Sequence, residues 1–215
     1  TGAVLNNTFL APEFGLNQGF DDYLWEGASN TDYRSAEDTV SQGMAWLSAS
    51  EQPSFLVLHF MEPHANYDPR EAVRHRFTGA SEEQPPIPVP FRFQDGQVED
   101  GLSGEALEYL FRLYDEEIFA ADMGVGRLVE SLEEQGDFSD TVVIITADHG
   151  EEFWEHGGFE HGHQLFGELT RVPLVIHAPG LRGGEVDVVV EHLDLFETIL
   201  EFGGVESPVP AGESL

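Results

Sequence analysis

Cysteine is missing from this chain, and so is lysine: its nine basic residues are all arginine, set against 41 Asp and Glu. Without cysteine, disulfides, thiolate metal sites and a cysteine nucleophile are excluded from these 215 residues. The formal charge of −32 excludes nucleic acid as a partner, because binding there needs Lys and Arg to replace counterions. An anionic membrane surface is repelled for the same reason. Runs of roughly twenty apolar residues, the length that spans a bilayer, are also lacking. No signal-type segment opens the chain, which starts at Thr1. The acid is spread along the sequence and does not form a tail, so it reads as a solvated surface. A surface of this kind suits high salt, where screening over a few Å removes self-repulsion. A halophilic host is therefore expected, with a cytoplasmic location as the working expectation. Hydrophobic residues make up 40%, enough at this length for one domain with a substantial core.

The apolar pattern alternates between two periods. TDYRSAEDTVSQGMAWLSAS carries Ala36, Val40, Met44 and Leu47 at helical spacing, with Thr31 or Asp32 as its N-cap. FLVLHF after a proline reads as a strand buried on both faces. Residues 66–100 are rich in Pro, Gln, Glu and Gly and read as an irregular excursion. A long helix then runs from a cap at Ser103 to Gly136. TVVIITA and RVPLVIHA read as strands, VDVVV as a shorter one, and HLDLFETILEF as a helix. Fully apolar strands interleaved with helices predict an α/β sheet flanked by helices. Trp46, Phe119 and Phe196 are expected in the core; Glu116, Glu117, Glu133 and Glu134 are expected on solvated helix faces.

Chemistry concentrates in TADHGEEFWEHGGFEHGH, Thr146–His163, which holds four of the nine histidines. Ligands of open α/β sheets bind beyond the carboxyl ends of the strands. Asp148 and His149 stand just past such a strand, and a carboxylate beside a neutral imidazole suits a divalent ion. A turn with a helix cap is the plainer account of the same residues. His156, His161 and His163 sit among glycines, hence in a loop, where they can bind an anion or donate a proton. Exposed polar residues are the alternative there. His64 lies in a Pro-flanked turn suited to substrate contact, while His59 inside the strand is expected to be a hydrogen-bonded core residue. Glu151 and Glu152 are either supports for the metal candidates or surface acid.

In order along the chain, NQGFDDY, FLVLHFMEPHANYDP, LYDEEIFAADMGVGRLVESLEEQGDFSDTVVIITADHGEEFWEHG, HGHQLFGELTRVPLVIHAPG, HLDLFETILEFGGV and AGESL resemble the sulfatases of the alkaline phosphatase superfamily. The resemblance covers nearly the whole chain. It implies an α/β sandwich with a mostly parallel central sheet flanked by helices. It implies one divalent metal ion (Ca, Mg or Mn, with Zn open), with Asp148 and His149 matching one ligand pair. His64 matches the family histidine near the leaving group. His161 falls where many members carry a substrate-contacting lysine, with His163 as second candidate for that role. The family nucleophile is a formylglycine made from Cys or Ser in an x-Pro-x-Arg context, and that motif is absent here. The expectation is therefore a single sulfatase-type domain over 1–215, incomplete at the N-terminus and without the C-terminal subdomain, and inactive alone. The expected activity is hydrolysis of a small-molecule or glycan sulfate ester. Alternatives are a phosphodiesterase, phosphonate monoester hydrolase or phosphoglycerol transferase on the same fold, or a non-catalytic anion-binding descendant.

Overall fold

The computed structural model describes residues 1–27, 33–51, 53–79, 104–209 and 211–215. They form two compact units, one of residues 1–136 with 147–172, the other of residues 137–146 with 173–215.

The first unit is built on a parallel sheet in the order β2-β1-β3: β1 (Gly2–Asn6), β2 (Asp22–Glu26) and β3 (Leu56–Leu58). Its register pairs Gly2 with Asp22 and with Leu56. Every residue of the central β1 is buried, as expected of a strand with neighbours on both edges. β3 is shorter than the FLVLHF run predicts and only half-buried, because it holds the edge position. Helix α1 (Ala36–Ala49) packs against β1 and β3. Its cap is Ser35, whose side chain accepts from Asp38 N–H, and Glu37 and Asp38 add favourable charge to the first turn. The expected caps Thr31 and Asp32 lie outside the described residues.

Helix α2 (Gly104–Gln135) crosses α1 at Gly124, where a Cβ would come within 2.7 Å of Ala36 Cβ. The expected cap Ser103 and residues 80–100 of the excursion lie outside the described residues. Gly136, with φ 82°, follows the last turn. Glu116 and Glu117 correct the sequence expectation: both are completely buried. They sit on the inward stripe of α2, where periodicity is read from apolar residues and a buried acid is invisible to it. The hairpin of β5 (Glu152–Phe153) and β6 (Phe159–Glu160) closes a core in which Tyr67, Phe153 and Phe159 pack with Leu110. A short α3 (Gly167–Thr170) follows.

In the second unit β4 (Val143–Thr146) pairs antiparallel with β7 (Leu174–His177), register Val143 with His177. Helix α4 (His192–Phe202) begins in a capping box between Glu191 and Asp194. The expected strand VDVVV is irregular, with Val189 94% exposed. β-Branched residues favour a strand only where a partner edge receives them. Phe196 is exposed, not core, and Trp46 and Phe119 are half-buried. The Arg76 guanidinium lies 3.8 Å over the Phe119 ring and shares its cover.

Candidate functional site

The first unit gathers the predicted histidines from two stretches of chain. The loop after β3 carries one set. His59 N–H still donates to Val4 O at 3.0 Å, extending the ladder, and the chain then turns so that His64 N–H reaches Met61 O at 2.7 Å. The segment 147–163 carries the other set. It is pinned to α3: Gly150 N–H donates to Leu169 O at 2.8 Å and Glu151 N–H to Glu168 O at 3.1 Å. A Cβ at position 150 would stand 1.9 Å from Glu168 O. Gly150 thus serves a backbone–backbone approach to α3.

His64, His149 and His161 come together. The His161 ring stacks on His149 with centroids 3.9 Å apart, and meets the His64 ring edge-on at 5.0 Å. Each of the three uses Nδ1 as a donor to the protein: His64 to Ala65 O, His149 to Gly150 O at 2.8 Å, His161 to Glu151 Oε1 at 2.8 Å. That leaves Nε2 on each ring for other work. Asp148 Oδ1 accepts from His149 N–H at 3.0 Å and stands 3.7 Å from His149 Nε2. A carboxylate oxygen and an imidazole lone pair this close suit one divalent ion, and the bond from Nδ1 to a carbonyl is the usual orienting contact of a metal-bound imidazole. Asp148 and His149 therefore fit the metal that the sequence resemblance implies.

His59 is not simply a core residue. It is partly buried, its Nδ1 is a buried atom without a partner among the described residues, and it feels the charges of Asp148 and His64. Burial lowers its pKa, against the pull of Asp148, so the ring is kept neutral. His161 moves the other way. Its hydrogen bond to Glu151 raises its pKa, burial opposes this, and the charges of Glu151, Glu160 and Asp148 add to the rise.

His163 and His156 are engaged differently. His163 donates from Nε2 to Glu152 Oε2 at 3.2 Å. Gly158 makes the room: a Cβ there would lie 2.2 Å from His163 Nε2. His156 stacks on Phe166 at 3.7 Å and bonds Glu168 through Nδ1. Ligand atoms of Glu152, His156 and Glu168 lie within 4.8 Å of one another, a second group able to hold a cation. Its members already bond one another or the backbone, for Glu152 Oε1 accepts from His156 N–H at 3.1 Å and Gly158 N–H at 2.7 Å.

Sequence reading left Glu151 and Glu152 open and missed Tyr67. Both acids are buried, at 5% and 0% side-chain exposure. Tyr67 O–H donates to Glu151 Oε2 at 2.8 Å. The two-residue β5, which begins at Glu152, is marked by no apolar run, so nothing in the sequence set these two acids apart from surface ones.

The family model described as Sulfatase matches residues 6–205. The chain belongs to the sulfatase family. An N-acetylglucosamine-6-O-sulfatase of Bacteroides thetaiotaomicron is 32% identical over 114 residues, covering 50% of this chain and 20% of that protein. A sulfatase of Formosa agariphila is 25% identical over 205 residues, covering 84% of this chain and 40% of its own length. Among solved structures, the phosphonate monoester hydrolase SpPMH of Silicibacter pomeroyi superposes with a TM-score of 0.63 at 26% identity, over 86% of this chain and 42% of that one. A protein solved in complex with its substrate D-glucosamine-2-N,6-O-disulfate superposes with a TM-score of 0.69 at 20% identity, over 86% and 52% of the two chains. This sulfatase-family chain thus has the α/β fold of the alkaline phosphatase superfamily and spans about half, or less, of the length of the relatives it matches.

Proposed function

We propose that the whole protein is a metal-dependent hydrolase of sulfate esters, with a sulfated glycan as substrate class. The observation that carries this reading is the convergence of His64, His149 and His161 beside Asp148 in a chain of the sulfatase family. The glycan follows from the relative named as an N-acetylglucosamine-6-O-sulfatase and from the neighbour solved with a glucosamine disulfate. Asp148 and His149 would hold the ion, with His149 Nε2 turned outward by the Nδ1 bond to Gly150 O. When bound, a divalent ion supplies positive charge where the ester's negative oxygens gather. Ca, Mg, Mn and Zn all accept this donor pair. His161, which Glu151 biases toward the cationic form, would bind the anionic group. His64 would hydrogen-bond or protonate the leaving oxygen, and His163 is the second candidate for the anion contact. The nucleophile, a formylglycine in this family, is expected outside residues 1–215. The −32 charge supports work at high salt, and thermal stability should rise between low and molar salt.

Phosphonate or phosphate ester hydrolysis is the second reading, favoured by the likeness to a phosphonate monoester hydrolase at a TM-score of 0.63. Parallel assays of the full enzyme on an aryl sulfate and an aryl phosphonate separate the two. Asp148→Ala should abolish turnover and remove the rise in melting temperature caused by divalent ions. Turnover or metal stabilisation that survives this change would sink the metal assignment.

A further inference from the structure

The two histidines of the His161-Gly162-His163 turn are held in opposite senses by two adjacent carboxylates. Glu151 takes the Nδ1 proton of His161, and Glu152 takes the Nε2 proton of His163. Both nitrogens must be donors, since an ionised carboxylate only accepts. The two rings are therefore opposite tautomers whenever they are neutral.

Glu151 is itself fixed from three sides. Its backbone is tied to α3 through Glu168 O. Its Oε2 accepts from Tyr67 O–H at 2.8 Å while its Oε1 faces His161. Tyr67 cannot swing away, for its ring is packed against Tyr114 at 5.4 Å, Phe153 at 5.8 Å and Phe159 at 6.3 Å. A carboxylate anchored at one oxygen presents the other at a set angle, and the imidazole bonded to it loses its rotation as well as its choice of tautomer.

We propose that Glu151, anchored by Tyr67, is a positioning residue that makes His161, and not His163, the imidazole whose Nε2 is left open to the substrate beside His149 and His64. The role rests on the sulfate-ester reading of the site, but its structural half does not. Catalytic contact belongs to His161; Glu151 and Tyr67 act through it.

The test has two readouts. The first is the tautomer of each histidine in the ¹⁵N-histidine-labelled full enzyme, read by long-range ¹H–¹⁵N correlation at alkaline pH. His161 should show a protonated Nδ1 and His163 a protonated Nε2. Glu151→Leu should return His161 to the Nε2–H form that histidine prefers in water. Glu151→Gln should keep Nδ1–H, because the amide oxygen can accept it while the NH₂ donates to the Tyr67 oxygen. The second readout is aryl sulfate turnover by the full enzyme. Glu151→Leu should lower kcat by about 10–100-fold, the usual effect of losing an orienting partner, with a much smaller change in KM. Glu151→Gln should recover most of kcat. Should Glu151→Leu not fold, Tyr67→Phe removes only the anchoring hydroxyl and should give mixed tautomers at His161 with a milder loss of kcat. An Nε2–H His161 in the unmodified enzyme, or a Leu variant with an unchanged tautomer, overturns the proposal. So does a Gln variant as slow as Leu. If the full enzyme hydrolyses no sulfate ester, the functional reading falls, and the tautomers still decide the positioning.

Discussion

The dipeptide Glu116-Glu117 on α2 and the dipeptide Glu151-Glu152 at β5 place four buried carboxylates inside the same unit, with Glu62 as another. The β5 pair is divided between two histidines, one each. The α2 pair is divided between satisfaction and want. Glu116 accepts from the backbone N–H groups of His75, Phe77 and Thr78 and from the Thr78 hydroxyl, at 2.8 to 3.2 Å. Burial pushes its pKa up, yet those donors together hold it below the usual carboxylate range. Among the described residues Glu117 has one bond, from Tyr33 O–H at 3.3 Å, and its Oε1 is buried without a partner. Burial raises its pKa to about 7, helped by the charge of Glu62 and opposed by Tyr33 and Arg70. A buried acid is stabilising when donors surround it and a burden when they do not. In both places adjacent acids get different surroundings.

The sharpest way to break this comparison is to remove a satisfied acid. Glu116→Ala orphans three backbone donors and should cost about 3–4 kcal/mol, read as a shift in the urea midpoint at constant slope. Glu152→Ala strips its partner from two backbone N–H groups and from His163 and should cost about 3 kcal/mol by the same measure. A loss below 1 kcal/mol in either variant would show that solvent replaces the carboxylate without difficulty.

Glu117 should behave in the opposite way. Its folded pKa lies above the unfolded value, so between about 4.5 and about 7 the folded state binds the extra proton. Stability from this group is therefore present at low pH and falls as pH rises through that window, then stays flat above it. Glu117→Gln should remove the slope and raise stability at pH 8 by about 2 kcal/mol. A variant less stable than the original at pH 8 would mean that the Glu117 charge is stabilised by contacts other than those described. Glu116 has the reverse sign: its contribution is present above the unfolded pKa and is lost as pH falls through the lowered folded value.

The smallest effect belongs to the surface. Arg112 pairs with Glu108 one turn away, with both side chains largely exposed. Arg112→Ala should change stability by less than about 0.5 kcal/mol, and by still less in molar salt. A larger change would argue that the exposed acid of this chain is organised into networks.

Much of the fold was legible because it follows local periods. α1, α2 and α4, and the strands β3, β4 and β7, fall within the runs that the apolar pattern marks. The VDVVV run fails as a strand because β propensity is a demand for a neighbouring edge, which no single segment encodes. The histidines stood out because four of nine fall within eighteen residues. Their division of labour did not, because it depends on which carboxylate each ring meets. His59 looked like a core residue for the same reason: its strand context was visible, but its nearness to Asp148 and His64 was not.

The sequence by itself determined the sulfatase-family frame, the excess acid, the absence of thiol chemistry and the residue types gathered in 146–163. Those are properties of composition and short-range order. The tertiary structure decided which acids are buried, which nitrogen each histidine offers, and that Tyr67 stands behind Glu151, 84 positions along the chain. A hydrogen bond is set by a few tenths of an ångström between groups that the chain brings together only on folding, and no local pattern carries that information.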